Sequence, residues 1–261
     1  TDAQARNALE QAGFETAYGQ LGIPECIVVE NASRGNRTVF ERAIADGRLT
    51  VQSEESQFAV QLLDPKPGET ILDVCAGRGV KTGMIAARMG GRGRIVAIDD
   101  DATKLKALQA STARQATPIA VIRANARADY DSGFEAGADA ALVDAPCSGL
   151  GILGRRADAR WRKEPSDPER FAAIQRDVLA HAADNVRPGG RLLYVTCSTV
   201  RAEDEDVVDA FLRGHDEWRA RPLEVPADAS GVTHADAGVL SEPGINGADG
   251  FFYAMLERAA R

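Results

Sequence analysis

The sequence lacks the marks of a membrane protein, a secreted protein or a metalloprotein. No run approaches the roughly 18 apolar residues of a membrane span, and Thr1 opens no basic-then-apolar leader. The missing initiator methionine suggests a fragment. Four cysteines, Cys26, Cys75, Cys147 and Cys197, have no paired spacing, and three histidines, His181, His215 and His234, are scattered. That pattern excludes the usual zinc frameworks and leaves reduced thiols in a cytoplasmic protein with no metal. Excess positive charge is also missing: the formal net charge of −8 argues against a protein that grips nucleic acid with its whole surface. The exception is local. Arg155, Arg156, Arg160, Arg162 and Lys163 fall within nine residues, opposed only by Asp158. Such a run is either a solvated loop or a polyanion contact.

With 261 residues, 44% of them hydrophobic, the chain can bury a full core with a small unit to spare. Residues 1 to about 50 read as that small α+β unit. A helix is expected over Ala3 to Gln11, short strands over Phe14 to Tyr18, Glu25 to Glu30 and Arg48 to Val51, and a helix over Thr38 to Ala45. Arg34, Arg37, Arg42 and Arg48 are candidates to face a polyanion. The unit is too short for a confident core of its own and is expected to pack on the larger domain C-terminal to it.

From Gln57 onward strands and helices alternate. Helix Gln57 to Leu63 is closed by Pro65-Lys-Pro-Gly68; strands are expected over Thr70 to Val74, Arg94 to Ile98, Ile119 to Ile122 and Ala140 to Val143. Between them lie helices over Lys81 to Met89 and over Asp101 to Gln115, with Asp101 as N-cap. A long helix over Pro168 to Asn185 takes Asp167 as cap. Arg187-Pro-Gly-Gly190 turns into a fifth strand ending at Cys197, a helix comes next over Glu203 to Leu212, and late strands cover Arg219 to Val225 and Phe251 to Leu256, the last antiparallel. Strands alternating with helices mean a doubly wound α/β sheet covered on both faces.

The first strand–helix turn, Asp73-Val-Cys-Ala-Gly-Arg-Gly-Val-Lys-Thr82, carries two glycines that allow a tight turn and close backbone approach to a ligand. A dinucleotide fingerprint would place glycine where Thr82 stands, and a P-loop would place it where Val80 stands, so neither phosphate motif is met. Asp99, at the end of the next strand, is placed to accept from a ribose diol. A glycine turn and a ribose acid without a pyrophosphate cradle fit a nucleoside cofactor such as S-adenosyl-L-methionine better than NAD. Two further strands end in thiols: Ala140-Ala-Leu-Val runs into Asp144-Ala-Pro-Cys-Ser-Gly149, and Arg191-Leu-Leu-Tyr-Val-Thr runs into Cys197. If these strands are neighbours, Asp144, Cys147 and Cys197 share one pocket. The plainer reading makes both cysteines small buried hydrophobes.

Val51-Gln-Ser-Glu-Glu-Ser-Gln57, Lys81-Thr82, Asp144-Ala-Pro-Cys-Ser-Gly149, the Arg-Trp-Arg around Trp161, Thr196-Cys-Ser198 and Asp249-Gly-Phe-Phe-Tyr253 occur in the order found in RNA cytosine-5 methyltransferases. From about Val51 to the C-terminus the chain resembles the RsmB (Sun/Fmu) branch of that family. The resemblance implies a Rossmann-like methyltransferase domain over 51–261, preceded by the latter part of an RRM-like unit over 1–50. It implies a cofactor site for S-adenosyl-L-methionine formed by Cys75, Ala76, Gly77, Arg78, Gly79, Val80, Lys81, Asp99, Asn125 and Asp144. Three positions depart from the family pattern: Arg78 and Val80 replace a proline and a glycine, and Asn125 replaces an acid. Val80, being β-branched, is expected to take up space near the ligand.

The implied chemistry is methylation of carbon 5 of cytosine, a poor nucleophile until a thiolate adds to carbon 6 and makes the ring an enamine. By the family pattern Cys197 is that nucleophile and Cys147 assists product release. Asp144 would stabilise or supply the proton at ring nitrogen 3, and Lys81 would orient the base. The target must be accessible or flipped out, because carbon 6 is closed off inside a stack. RNA as partner, ribosomal or transfer, follows from the resemblance. Arg155, Arg156, Arg160 and Arg162 are candidates for its phosphates, and Trp161 for stacking on a base or for anchoring the core. The protein is expected to be a monomer. An RNA-binding protein with a decayed cofactor site and a small-molecule methyltransferase are the competing readings.

Overall fold

The apolar runs of the sequence become neighbouring strands of one sheet in the computed structural model, which describes residues 2–30, 35–244 and 247–260. The chain enters that sheet at its centre. Strand β3 (Thr70–Val74) pairs in parallel with β4 (Arg94–Asp99) on one side and β6 (Ala138–Asp144) on the other. Strand β5 (Ile119–Arg123) extends the β4 side, and β7 (Val186–Thr196) lies parallel beside β6. The chain therefore reverses its direction of travel between β3 and β6. The crevice above that switch is where open α/β sheets bind ligands.

Alternation along the strands decides which helices cover which face. Leu72 and Val74 turn toward α6 (Asp167–Asp184) and α7 (Glu205–Gly214), in a cluster with Val143, Leu179, Tyr194, Val207 and Phe211. Ile71 turns the other way, with Ile95, Leu142 and Leu193, against Phe58 and Leu63 of α3 (Glu54–Leu63) and Ile85 and Met89 of α4 (Val80–Met89). Each such side chain, fully buried, contributes about 1.5–3 kcal/mol. Helix α5 (Ala102–Thr112) comes after β4 and is capped as expected: the Asp101 carboxylate accepts from the N–H groups of Thr103 and Lys104 at 2.8 and 3.2 Å.

Beyond β7 the sheet turns antiparallel. Strand β11 (Phe251–Arg258) lies antiparallel against β7, with Phe252 opposite Thr196, and antiparallel to the preceding late strand, as expected from the lack of a helix between those two. Its other edge is shared by β8 (Trp218–Arg221) and a hairpin of β9 (Val232–Ala235) and β10 (Gly238–Ser241). The sequence predicts no strand over either arm of that hairpin, each only four residues long.

The N-terminal unit comprises α1 (Asp2–Gln11), an antiparallel pair of β1 (Thr16–Tyr18) and β2 (Ile27–Val29), and α2 (Arg37–Ala45). It packs on the larger domain through α3: Leu21, Ile23 and Cys26 are buried in the cluster that holds Phe58 and Leu62. The strand expected over Arg48 to Val51 is absent. The N–H groups of Arg48 and Leu49 instead turn back onto the Ala43 carbonyl at 2.9 and 3.1 Å, closing α2. Three other boundaries are corrected. Helix α3 begins at Glu54 because the Ser53 hydroxyl accepts from the Ser56 N–H. Asp167 is the first residue of α6, not its cap, a position held by Ser166. Arg187 to Gly190 is not a turn ahead of the strand but a bulge within β7, between the pairs Ala138–Val186 and Ala140–Arg191. Among the described residues no helix is long and apolar enough to cross a membrane, and no His, Cys, Asp and Glu cluster is arranged to hold a metal.

Candidate active site

The loop leaving β3 is built to present backbone to a ligand. Cys75 sits at φ 60°, an uncommon value for a residue with a Cβ, and Gly79 at φ 79° starts α4. A Cβ at Gly79 would strike Leu108 of α5, so this position admits glycine alone. The loop is pinned across the sheet: the Ala76 N–H donates to the Ile98 carbonyl at 2.9 Å, and the Gly77 N–H to Oδ2 of Asp99 at 2.9 Å. The other oxygen of Asp99 accepts from the Asp101 N–H at 2.9 Å. Beneath the loop Asp73 is fully buried; Thr82 donates to its Oδ2 at 2.5 Å, while Oδ1 has no partner. Burial pushes its carboxyl up to about 7.

The strand ends on the other side of the switch bring the predicted chemical groups together. Strands β6 and β7 are neighbours, and the sulfurs of Cys147 and Cys197 stand 3.2 Å apart as free thiols. Lys81, on the first turn of α4, donates from Nζ to Oδ2 of Asp144 at 2.7 Å. A hydrogen bond between two thiols favours one of them as the thiolate. With the Cys147 thiol as donor, Cys197 is pushed down, opposed by burial and by the nearby Asp144 and aided by Lys81. The same bond, with burial and the nearby Glu203, pushes Cys147 up. Cys75 and Cys26 are pushed up by burial, Cys26 to about 11.

Three further residues at this centre are not among the candidates read from the sequence. Glu203 is fully buried between the two thiol loops, where the hydroxyls of Ser148 and Ser198 donate to it. Asp204 beside it accepts from the Thr196 hydroxyl at 2.6 Å through Oδ1, leaves Oδ2 unpartnered, and is pushed up by burial to about 8. Gly151 bridges the loops by its backbone: its N–H donates to the Cys197 carbonyl at 3.1 Å and its carbonyl accepts from the Gly250 N–H at 2.8 Å. A Cβ at Gly151 would collide with Gly250. Only the run of acids in Arg201-Ala-Glu-Asp-Glu205, directly after a thiol loop, would have pointed to the first two.

The remaining predicted residues are distributed around this centre. Arg78 is exposed at the loop tip. Val80 shares a helix face with Gly83, Met84 and Ala87, and all four line a cavity of about 740 Å³ between α4 and the N-terminal unit. Asn125 is exposed after β5, its Oδ1 accepting from the Arg127 N–H at 3.0 Å. Trp161 is 86% exposed, which removes the reading that made it a core anchor. Arg156 and Arg160 are exposed beside it, Arg162 pairs with Asp158 at 2.7 Å, and Arg155 pairs with Asp249. In the N-terminal unit Arg37 and Arg48 pair with Glu41 and Asp46, Arg42 is exposed, and Arg34 lies outside the described residues.

A family model described as 16S rRNA methyltransferase RsmB/F matches residues 60–257. A probable ribosomal RNA small subunit methyltransferase B of Synechocystis is 37% identical over 82% of this chain and 49% of its own length. The chain thus spans about half the length of the curated relatives it matches. Among solved structures, PH0851 superposes with a TM-score of 0.88 at 33% identity, covering 98% of this chain and 56% of that one. NSun6 from Pyrococcus horikoshii, crystallised with SFG, superposes with a TM-score of 0.71 at 25% identity, covering 84% of this chain and 56% of that one.

Proposed function

Since the chain belongs to the RsmB/F family of 16S rRNA methyltransferases, we propose that it transfers a methyl group from S-adenosyl-L-methionine to carbon 5 of a cytosine in 16S ribosomal RNA. The observation that carries this reading is the pair of thiols 3.2 Å apart beside the Lys81–Asp144 ion pair, at the switch point of the sheet. SFG, held by NSun6, is an analogue of the proposed methyl donor.

The residues present suit that donor. The space beyond Gly77 is open, since a Cβ there would meet nothing nearer than the Cys75 carbonyl at 3.9 Å. Asp99 spends one lone pair of each oxygen on backbone N–H groups, with Lys104 Nζ 3.8 Å from Oδ1, and a lone pair of Oδ2 would serve a ribose diol. Cys75 to Gly79, Lys81, Asp99, Asn125 and Asp144 would hold the cofactor, with Asn125 accepting from an adenine amine by the free lone pair of Oδ1 and Val80 turned away toward the N-terminal unit. When bound, S-adenosyl-L-methionine supplies an electrophilic methyl group.

The chain's own residues perform the rest. Cys197 as thiolate forms a bond to carbon 6, and the ring's electrons move toward carbon 5 and ring nitrogen 3. The Lys81–Asp144 pair holds a proton at nitrogen 3. Once carbon 5 carries the methyl group, its proton leaves to a base, the carbon 6–sulfur bond breaks and Cys197 departs as thiolate. Cys147, which keeps its proton and donates it in a hydrogen bond to its partner's sulfur, stabilises that departing charge. The exposed Trp161, between Arg160 and Arg162, offers an aromatic face to a base and positive charge to its phosphates.

The test incubates the chain and its Cys197→Ala variant with labelled methyl donor and unmodified transcripts of 16S ribosomal RNA or transfer RNA, then maps 5-methylcytosine by bisulfite sequencing. The expected result is methylation of the ribosomal transcript by the unaltered chain alone. Methylation of transfer RNA instead overturns the substrate, and activity that survives Cys197→Ala overturns the covalent route.

A further inference from the structure

One carboxylate ties both thiol loops together. Glu203 ends the short helical turn Arg201–Glu203 between β7 and α7 and has no exposed surface. Its Oε1 accepts from the Ser148 N–H at 2.6 Å and from Nε2 of Gln175 at 3.2 Å. Its Oε2 accepts from the Ser198 hydroxyl at 2.7 Å and from the Ser148 hydroxyl. Ser148 is the residue after Cys147, and Ser198 the residue after Cys197. The Gln175 amide also donates to the Pro146 carbonyl at 3.0 Å, so Cys147 is held on both sides. The Tyr194 hydroxyl donates to the backbone carbonyl of Glu203 at 2.6 Å, fixing the acid to β7.

A carboxylate leaves water only where donors replace its hydration. Here the donors come from two separate strand-end loops and from α6, and the acid is the point at which these elements meet. Packing alone would be served by an apolar side chain of the same volume. What an apolar side chain does not provide is a fixed relation between Ser148 and Ser198, and with it between the two sulfurs.

We infer that Glu203 is a positioning residue: it sets the separation of Cys147 and Cys197 so that the Cys147 S–H donates to the Cys197 sulfur and favours it as the thiolate. The inference rests on the proposed methyl transfer for what the thiols do, but the clamp is measurable without RNA or methyl donor. The reduced full chain is treated with diamide, a diazene whose N=N bond takes up two protons and two electrons, giving a hydrazine, as the two thiols join in a disulfide. Formation of the Cys147–Cys197 disulfide is monitored by acid quench, alkylation and mass mapping. Glu203→Ala should slow it by about tenfold or more, because sulfurs no longer held together lose effective concentration. Glu203→Gln should stay within about threefold of the unaltered chain, since its amide oxygen still accepts from Ser148 and Gln175 and its N–H groups can face two hydroxyls that turn to accept.

Equal rates for the unaltered chain and folded Glu203→Ala overturn the inference. Where circular dichroism shows that Glu203→Ala does not fold, Ser198→Ala decides, because it cuts the side-chain bond from the acid to the Cys197 loop; an unchanged rate again overturns it. With a methylated RNA in hand, Glu203→Ala should lower kcat and leave the KM for the methyl donor unchanged. A raised KM with unchanged kcat overturns the positioning role. A chain that methylates neither transcript while its oxidation rates keep the stated order removes the proposed function and leaves the clamp standing.

Discussion

Replacing Asp204 by asparagine should change how stability depends on pH, and the size comes from the burial of that one carboxyl. Asp204 is 1% exposed, accepts one hydrogen bond from Thr196 and has an unpartnered Oδ2. Burial pushes it from an ordinary 3.8 to about 8. Between those values the folded chain keeps the proton and the unfolded chain releases it. A group raised on folding contributes stability that is whole below about pH 4, falls as pH rises, and is gone above about pH 8. The loss runs at about 1.4 kcal/mol per pH unit, or about 2.7 kcal/mol from pH 5 to pH 7. The side chain of the Asp204→Asn variant reproduces the shape of the protonated acid, keeps an oxygen for Thr196 and has no proton to release. Its advantage over the unaltered chain should therefore grow by about 2.7 kcal/mol across that interval, whatever its offset at pH 5. Asp73, raised to about 7, titrates in both proteins and cancels in the difference. Urea unfolding of both proteins at pH 5, 6 and 7, monitored by circular dichroism, measures it. A difference that stays constant over the three pH values refutes the reasoning and means that Asp204 is charged in the fold.

Cys147→Ala should permit attack by Cys197 but slow release, leaving a band on a denaturing gel that nuclease removes; an adduct from Cys197→Ala instead would exchange the two roles. Val80→Gly should leave the affinity for S-adenosyl-L-methionine within about 0.5 kcal/mol, roughly twofold, because Val80 lines the cavity toward the N-terminal unit. Calorimetry that finds a much tighter variant would restore the steric conflict expected from the sequence. Alanine at both Arg160 and Arg162 should weaken RNA binding and flatten its salt dependence by about one slope unit per lost phosphate contact, with methyl-donor affinity unchanged. An unaltered slope would make the stretch an ordinary solvated loop.

Sequence alone determined the doubly wound architecture, because apolar runs bounded by glycine and proline state where strands lie whatever their partners are. It also located Cys147, Cys197, Asp144 and Lys81, since each sits at a strand end or helix start whose position the pattern marks. Weak or ambiguous local signals misled: Arg48 to Val51 has strand-like residues but spends its N–H groups on closing α2, and Asp167 reads as a cap although Ser166 occupies that place. The tertiary structure alone decided that β6 and β7 are neighbours, which turns two motifs fifty residues apart into a thiol pair. It also decided that Trp161 faces solvent and that Val80 faces the cavity toward the N-terminal unit. Glu203 and Asp204 are the clearest case. Acids at a helix start read as surface residues favouring a dipole, and nothing in their local sequence states that two loops will close over them. Burial is a property of what the rest of the chain brings to a residue, and so are the hydrogen bonds and raised carboxyl that result from it.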